Sequence, residues 1–269
     1  GGPTANFRRT SCDAQLSKGL CKGKKCLAPE MCPAVKVDHS DYLDILREAR
    51  ELVAAAEKYG RKIMVCFVLR YAPFYRKIKD LILAGEIGDI ISIQTNEYVS
   101  YHHMSTSHVR GKWNNYEKCH ASMLLAKCCH DIDIMMWLMS ETKPVSISSY
   151  GGKYQFKPEN APENAGTRCL VDCPLVDECL YSAKRIYIDH PDRWSFYVWD
   201  ALEHLENPTI EDKIALMKSD NPYARCIYKC DNNVVDHQVT IMNFAKGKTA
   251  CHTMVAFSKD IYSDIKTYL

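Results

Sequence analysis

The segment Ala-Ser-Met-Leu-Leu-Ala-Lys-Cys-Cys-His-Asp-Ile-Asp-Ile-Met-Met-Trp (Ala121 to Trp137) sets an ammonium, an imidazole and two carboxylates in an apolar setting: Lys127, His130, Asp131 and Asp133. Ionisable groups are costly to bury unless they are paired or used. The spacing predicts a helix over 121–139, stopped by Lys143-Pro144. Residues three and four apart share a helix face, so Lys127, His130 and Asp133 (or Asp131) project into one cleft. Such a set is the equipment of proton transfer. Histidine suits the task because its ordinary pKa is about 6.5; lysine needs burial or a cationic neighbour to bring its own down. A plainer arrangement uses the same residues: Lys127 paired with Asp131, His130 packed, and Asp133 orienting the helix or the imidazole.

Three further groups carry chemistry. Arg70-Tyr-Ala-Pro73 follows the apolar run Lys62 to Leu69, which reads as a strand covered on both faces. Open α/β sheets bind ligands at the carboxyl ends of such strands; a surface arginine in a turn is the alternative. Arg110 and Trp113 fall in the His- and Ser-rich stretch 101–120, read as a long loop. They can hydrogen-bond and stack a sugar, or pin the loop to the core. Cys169, Cys173 and Cys179, with spacings x3 and x5, can share a structural zinc if Cys226, Cys230 or a histidine supplies the fourth ligand. Packed free thiols fit the same pattern.

The elements that must position these groups follow from periodicity. Residues 41–58 form an amphipathic helix with Leu43, Leu46, Ala49, Leu52, Val53 and Ala56 on one stripe, Ser40 or Asp41 at its start and Gly60 past its end. A second helix covers Phe74 to Ala84 and stops at Gly85. Strands are expected over 89–99, 145–150, 225–231, 234–244 and 249–257, with a hairpin turn at Lys246-Gly-Lys248. Residues 1–37 differ: basic, without clear period, and carrying Cys12, Cys21, Cys26 and Cys32 without a Cys-x2-Cys pair. They read as a poorly ordered, Cys-rich leader.

Composition bounds the rest. Hydrophobic residues make 46% and charged residues 25% of 269, an ordinary globular profile. Lys+Arg is 35 against Asp+Glu 33, so no net field favours nucleic acid or an anionic membrane. No apolar run approaches the roughly 18 residues of a membrane span, and the start lacks a secretory h-region. Fourteen cysteines in such a chain suggest a reducing, cytoplasmic setting.

Several motifs occur in one order: Lys62-Ile-Met-Val-Cys-Phe-Val-Leu-Arg-Tyr-Ala-Pro73, Ile82-Leu-Ala-Gly-Glu-Ile-Gly-Asp89, Val109-Arg-Gly-Lys-Trp113, Leu125-Ala-Lys-Cys-Cys-His-Asp-Ile-Asp133 and Cys230-Asp-Asn-Asn-Val-Val-Asp-His-Gln238. Together they resemble the Gfo/Idh/MocA family of nicotinamide-dependent oxidoreductases, from roughly residue 41 onward. The resemblance implies an α/β protein: a remnant of a Rossmann-like unit (38–70) followed by an α+β domain with an open, largely antiparallel sheet (71–269). That second domain would hold a sugar-like substrate and mediate a homo-oligomer. The implied reaction is hydride transfer between NAD or NADP and a sugar or cyclitol hydroxyl. His130 matches the family's active-site histidine, with Lys127 as its companion acid/base. Arg70, Tyr71 and Pro73 would lie near the nicotinamide, and Arg110, Trp113 and Asp133 near the substrate.

The chain departs from the family pattern. It has no Gly-x-Gly-x-x-Gly turn, and His39-Ser40-Asp41 stands where Glu-Lys-Pro is expected. Ala126 replaces the aspartate that often precedes the histidine by four positions, and the chain stops at Ile265-Lys-Thr-Tyr-Leu269 where the family continues with more sheet. The reading is therefore a fragment or rearranged member. Its rival is a non-catalytic dimerisation or ligand-binding module, with or without a zinc staple.

Overall fold

The structure is a computed structural model that describes the backbone of residues 39–190 and 196–259 and the side chains of 47–190 and 197–259. The four leader cysteines and Ile265 to Leu269 lie outside the described residues. The chain divides into two compact units, Gly1–Val65 and Cys66–Leu269.

In the first unit, α1 spans His39–Lys58. Gly60 takes φ 59°, and the Arg61 and Gly60 amides donate to the Ala56 and Glu57 carbonyls. This left-handed closure satisfies the carbonyls a helix end leaves open. Leu52 and Val53, on the expected apolar stripe, are exposed.

No strand forms over Lys62 to Leu69. The chain is irregular to Phe67 and then makes a tight turn, Val68–Tyr71. A strand exists only against a neighbour, and none of the described strands pairs with this run. Its side chains Ile63, Met64, Val65 and Val68 are exposed.

The second unit opens with α2, Pro73–Leu83, with proline at the first helical position. Gly85, at φ 75°, closes it as Gly60 closes α1. Strand β1 covers Ser92–Ser100. The expected loop 101–120 is instead largely helical: short turns at Tyr101–His103 and Tyr116–Cys119 flank a wide turn, Met104–Val109, in which every residue is buried. The expected helix over 121–139 is broken into α3, Met123–Ala126, and α4, Cys129–Leu138. Lys127, at φ −124°, leaves helical geometry at the break. No glycine or proline marks it; Lys127 turns toward β1 while Cys128 is sealed in the core.

Strands β2, Pro144–Gly152, β3, His237–Phe244, and β4, Thr249–Ser258, complete a sheet of order β1-β4-β3-β2. β1 runs parallel to β4, while β3–β4 and β2–β3 are antiparallel. The sheet is thus mixed and mainly antiparallel. Side chains alternate across it. Thr240, Met242, Phe244, Ala250, His252 and Met254 are buried on one face, where Met135 of α4 and Met139 just past its end join the packing. Tyr98, Tyr150, Val239 and Ile241 are exposed on the other. Residues 225–231 make one tight turn, Ile227–Lys229, rather than a strand. The remaining helix of note, α5, is Ile210–Lys218, opened by a Thr209/Asp212 capping box. No helix among the described residues is long and apolar enough to cross a membrane.

Candidate functional site

Between α2, the first half of β1 and the α3–α4 junction lies a cleft of about 1940 Å³, part of it open solvent. Isoleucine and leucine make up nearly half of its walls, and its polar residues include Glu97, Lys127, His130 and Asp131. Glu97 and Thr95 project from β1 on the face covered by α4, because strand alternation places them with His252 and Met254 of the neighbouring strand. The break after α3 lets Lys127 reach that strand, and its ammonium pairs with the Glu97 carboxylate. Asp131, the partner expected from helical spacing, is not the one it bonds. Burial, reinforced by Glu97 and opposed by Lys127, raises the Asp131 carboxyl to about 7. Near neutral pH the Asp131 carboxyl is therefore in the working range of a general acid or base.

His130 also lines this cleft. Its Nδ1 is buried without a hydrogen-bond partner, and Phe67 meets the imidazole edge-on at 6.4 Å. That nitrogen is sealed from the cleft, so the wall is formed by the rest of the ring. Asp133, one turn further along α4, faces elsewhere. Its carboxylate takes both the Nε and Nη2 hydrogens of Arg70, at 2.7 and 2.6 Å. The pair fastens the Val68–Tyr71 turn to α4, and the Arg70 guanidinium also lies 5.8 Å from the Phe67 ring. Asp133 and Arg70 thus position the His130 wall; neither lines the cleft.

Lys79 of α2 secures the far end of α4. Its ammonium donates to the Trp137 carbonyl at 2.9 Å and the Ser140 hydroxyl at 2.8 Å. A cation suits the negative end of a helix.

Other expected site residues lie apart. Tyr71 and Pro73 are exposed and do not line the cleft. Trp113 is half-buried, beneath the Lys112 ammonium at 5.2 Å, with its amide bonded to the Ser107 carbonyl. Arg110, expected at the substrate, is 2% exposed. Its guanidinium donates to the carbonyls of Arg225 and Tyr181, both at 2.8 Å. It points into the core because Met104–Val109 folds as a buried turn rather than a free loop.

Glu97, His103, His108 and His252 were not apparent as a group from spacing. Burial, aided by the nearby Lys127 charge, holds His103 at about 4. Burial, then His103 and Lys127, take His108 to about 3. Both imidazoles are therefore neutral at physiological pH. The clue available was the crowding of histidines over 101–120; their burial beside Lys127 needed the fold.

Cys128, Asp131 and His252 bring ligand-type atoms within 4.8 Å of one another. Burial raises the Cys128 thiol and lowers His252 to about 4, so the thiol and the imidazole are both uncharged at neutral pH. His252 already shares Nδ1 with the Thr95 hydroxyl at 2.8 Å. The three form a packed polar cluster rather than a set of anionic donors. Cys169, Cys173 and Cys179, expected around zinc, do not bring their sulfurs within that spacing as a set.

A dinucleotide pyrophosphate rests on a glycine turn between a strand and a helix N-terminus. None of the described glycines occupies such a turn: Gly60 and Gly85 close helices, Gly88 lies between α2 and β1, Gly111 and Gly166 lie in segments that follow no strand directly into a helix, Gly151 and Gly152 lie within β2, and Gly247 is in the β3–β4 hairpin. The described residues do not fit a dinucleotide by themselves.

A family model, GFO_IDH_MocA_C, described as the oxidoreductase family's C-terminal alpha/beta domain, matches residues 79–252. YteT of Bacillus subtilis (strain 168), a protein named as an oxidoreductase, is 26% identical over 214 residues, which is 78% of this chain and 47% of YteT. A UPF0313 protein of Clostridium perfringens (strain SM101 / Type A) is 44% identical over 71 residues, 26% of this chain and 10% of that protein. The chain therefore spans about half the length of one curated relative and a tenth of the other. Among solved structures, a scyllo-inositol dehydrogenase from Lactobacillus casei, with bound NAD(H) and scyllo-inositol, is similar at 14% identity and a TM-score of 0.37, covering 75% of this chain and 38% of that one. A myo-inositol 2-dehydrogenase from Lactobacillus plantarum gives 14% identity and a TM-score of 0.33, covering 71% and 35%.

Proposed function

This chain belongs to the Gfo/Idh/MocA oxidoreductase family through its C-terminal α/β domain, and from that premise we propose that it carries the substrate-side half of an NAD(P)-dependent dehydrogenase of sugars or cyclitols. The observation that carries the reading is the meeting of Lys127, His130 and Asp131 on one cleft. In that reading the His130 imidazole forms the wall against which a substrate hydroxyl is held. The Lys127–Glu97 pair sets the charge around it, and Asp131, titrating near 7, exchanges the hydroxyl proton with solvent. Arg70, through Asp133, keeps the His130 wall in place. NAD or NADP would accept the hydride when bound, but a dinucleotide fold has to come from residues other than those described. The described residues are then a binding domain rather than a catalyst.

Isothermal titration with scyllo-inositol and with NADH tests this. The expected result is weak cyclitol binding that His130→Ala abolishes, and no change in nicotinamide fluorescence at millimolar NADH. Absence of binding for a panel of cyclitols and hexoses would refute the substrate side. Tight NADH binding would refute the division of labour. A second reading, a non-catalytic dimerisation module, draws on the exposed apolar sheet face of Tyr98, Tyr150, Val239 and Ile241. It is favoured if the chain is a dimer that binds no sugar.

A further inference from the structure

We propose that the ligand of the His130 cleft is amphipathic: a sugar or cyclitol ring at one end, joined to an alkyl or aryl group that lies along an isoleucine wall at the other. This rests on the reading of the cleft as a sugar or cyclitol site and assigns an occupant to the rest of its length.

Side-chain contacts fix how the walls run. Lys127, just ahead of α4, pairs with Glu97 of β1. Two turns further along α4, the Met135 sulfur accepts from the Thr95 hydroxyl at 3.3 Å, and Ile93 and Ile90 pack against the cluster that holds Met135 and Met139. α4 therefore runs opposite to β1. Arg70, ahead of α2, grips Asp133, and Lys79 within α2 donates to the Trp137 carbonyl near the end of α4 at 2.9 Å. α2 and α4 therefore run in the same sense.

Polarity changes in one direction on all three walls. On α4, His130 and Asp131 give way to Ile134 and Leu138. Along β1 and the residues before it, Glu97 gives way to Ile93 and Ile90. On α2, Tyr75 gives way to Ile78 and Ile82. One end of the cleft is ionic and the other aliphatic. Of the described residues lining the aliphatic end, Asp89 alone is charged.

Length selects the occupant. A helix rises about 12 Å from His130 to Leu138, and a strand covers about 13 Å from Ile93 to Glu97. A single polyol ring spans only part of that distance. Seated at the aliphatic end, its hydroxyls would face isoleucine, with too few partners to offset their lost water. Seated at the ionic end, it leaves the aliphatic end to water. Ile87 and Ile91 of that wall are 53% and 73% exposed, apolar surface that a substituent on the ring would cover. The cleft, at about 1940 Å³ including open solvent, has room for both parts; sites for drug-sized ligands enclose about 300–1,000 Å³.

The test titrates the full chain calorimetrically with scyllo-inositol, with methyl, butyl and hexyl β-D-glucosides, and with hexanol. A fully buried methylene is worth about fourfold in affinity. About twofold each on so open a wall gives roughly 30-fold from methyl to hexyl. Hexanol, which lacks the ring, should bind far more weakly than hexyl glucoside. The double variant Ile87→Ser, Ile91→Ser changes two exposed side chains, and in it the ratio of hexyl to methyl affinity should fall several-fold. Equal affinity for the three glucosides overturns the proposal; scyllo-inositol bound in the same experiment then leaves the sugar reading standing. Hexanol binding as tightly as hexyl glucoside also overturns it, because the ionic end is then unused. If no ring compound binds, both readings fall. A dimer in sedimentation that the double variant dissociates means that a second copy covers the wall, and overturns the proposal as well.

Discussion

The Arg70–Asp133 pair offers the sharpest test of how the cleft wall is held. Its two ends differ in exposure: the Arg70 side chain is 40% accessible and that of Asp133 only 7%. Removing the arginine strands a buried carboxylate, whereas removing the carboxylate leaves a guanidinium that water can reach. Arg70→Met should therefore cost about 3 kcal/mol, the range for breaking a buried pair from its exposed side. Asp133→Asn, which retains an acceptor, should cost only about 1 kcal/mol. The double variant should fall short of the sum, giving a coupling of about 2 kcal/mol: two charge-assisted hydrogen bonds, reduced because one partner is solvated. Urea unfolding at pH 7, followed by tryptophan fluorescence (Trp137 lies one turn past Asp133 on α4), yields all three values. Because one end is sealed, the coupling should persist at high salt. Equal losses for the two single variants, or a coupling below about 0.5 kcal/mol, would refute the reasoning.

Four further outcomes are expected. Asp131 has a folded-state value of about 7 against an ordinary 3.8. Its protonated form therefore favours the fold below about pH 4, and that contribution is lost as pH rises through 7, at up to about 1.4 kcal/mol per pH unit. Asp131→Asn should flatten the stability–pH curve over that window and exceed the parent above pH 7, as read by melting temperature across a pH series; parallel curves would contradict it. Lys79→Met removes the hydrogen bonds to Trp137 and Ser140 at the end of α4 and should lower stability by about 1–3 kcal/mol in urea titration. In Gly111→Ala the new methyl would stand 2.2 Å from the Thr106 carbonyl oxygen. It should destabilise by about 3 kcal/mol or more, seen as a lower melting temperature. Gly152→Ala meets only a movable His237 ring at 3.3 Å and should stay within about 1 kcal/mol.

What could be read in advance was whatever a short stretch of chain decides for itself. The α1 and α2 helices, their glycine closures and the alternation of β3 and β4 are local patterns, and they formed within two or three residues of where periodicity places them. The cleft histidine was legible for the same reason. Misreadings arose where a distant partner decides. Lys62 to Leu69 has strand composition but no strand beside it. Lys127 leaves its helix for Glu97, thirty positions earlier. Arg110 turns inward to two carbonyls from remote loops. Trp113 and Tyr71 show that an aromatic side chain near a motif need not face the cleft.

The strand order has a consequence for how this molecule comes into being. β1 and β4 are neighbours although Ser92 and Thr249 are separated by nearly the whole second unit. During synthesis Glu97 thus emerges well before the strand that β1 pairs with. Until it arrives, β1 has no hydrogen-bonded neighbour among the described strands. Any interruption before residue 249 would leave β1 an edge without a hydrogen-bonded neighbour among the described strands.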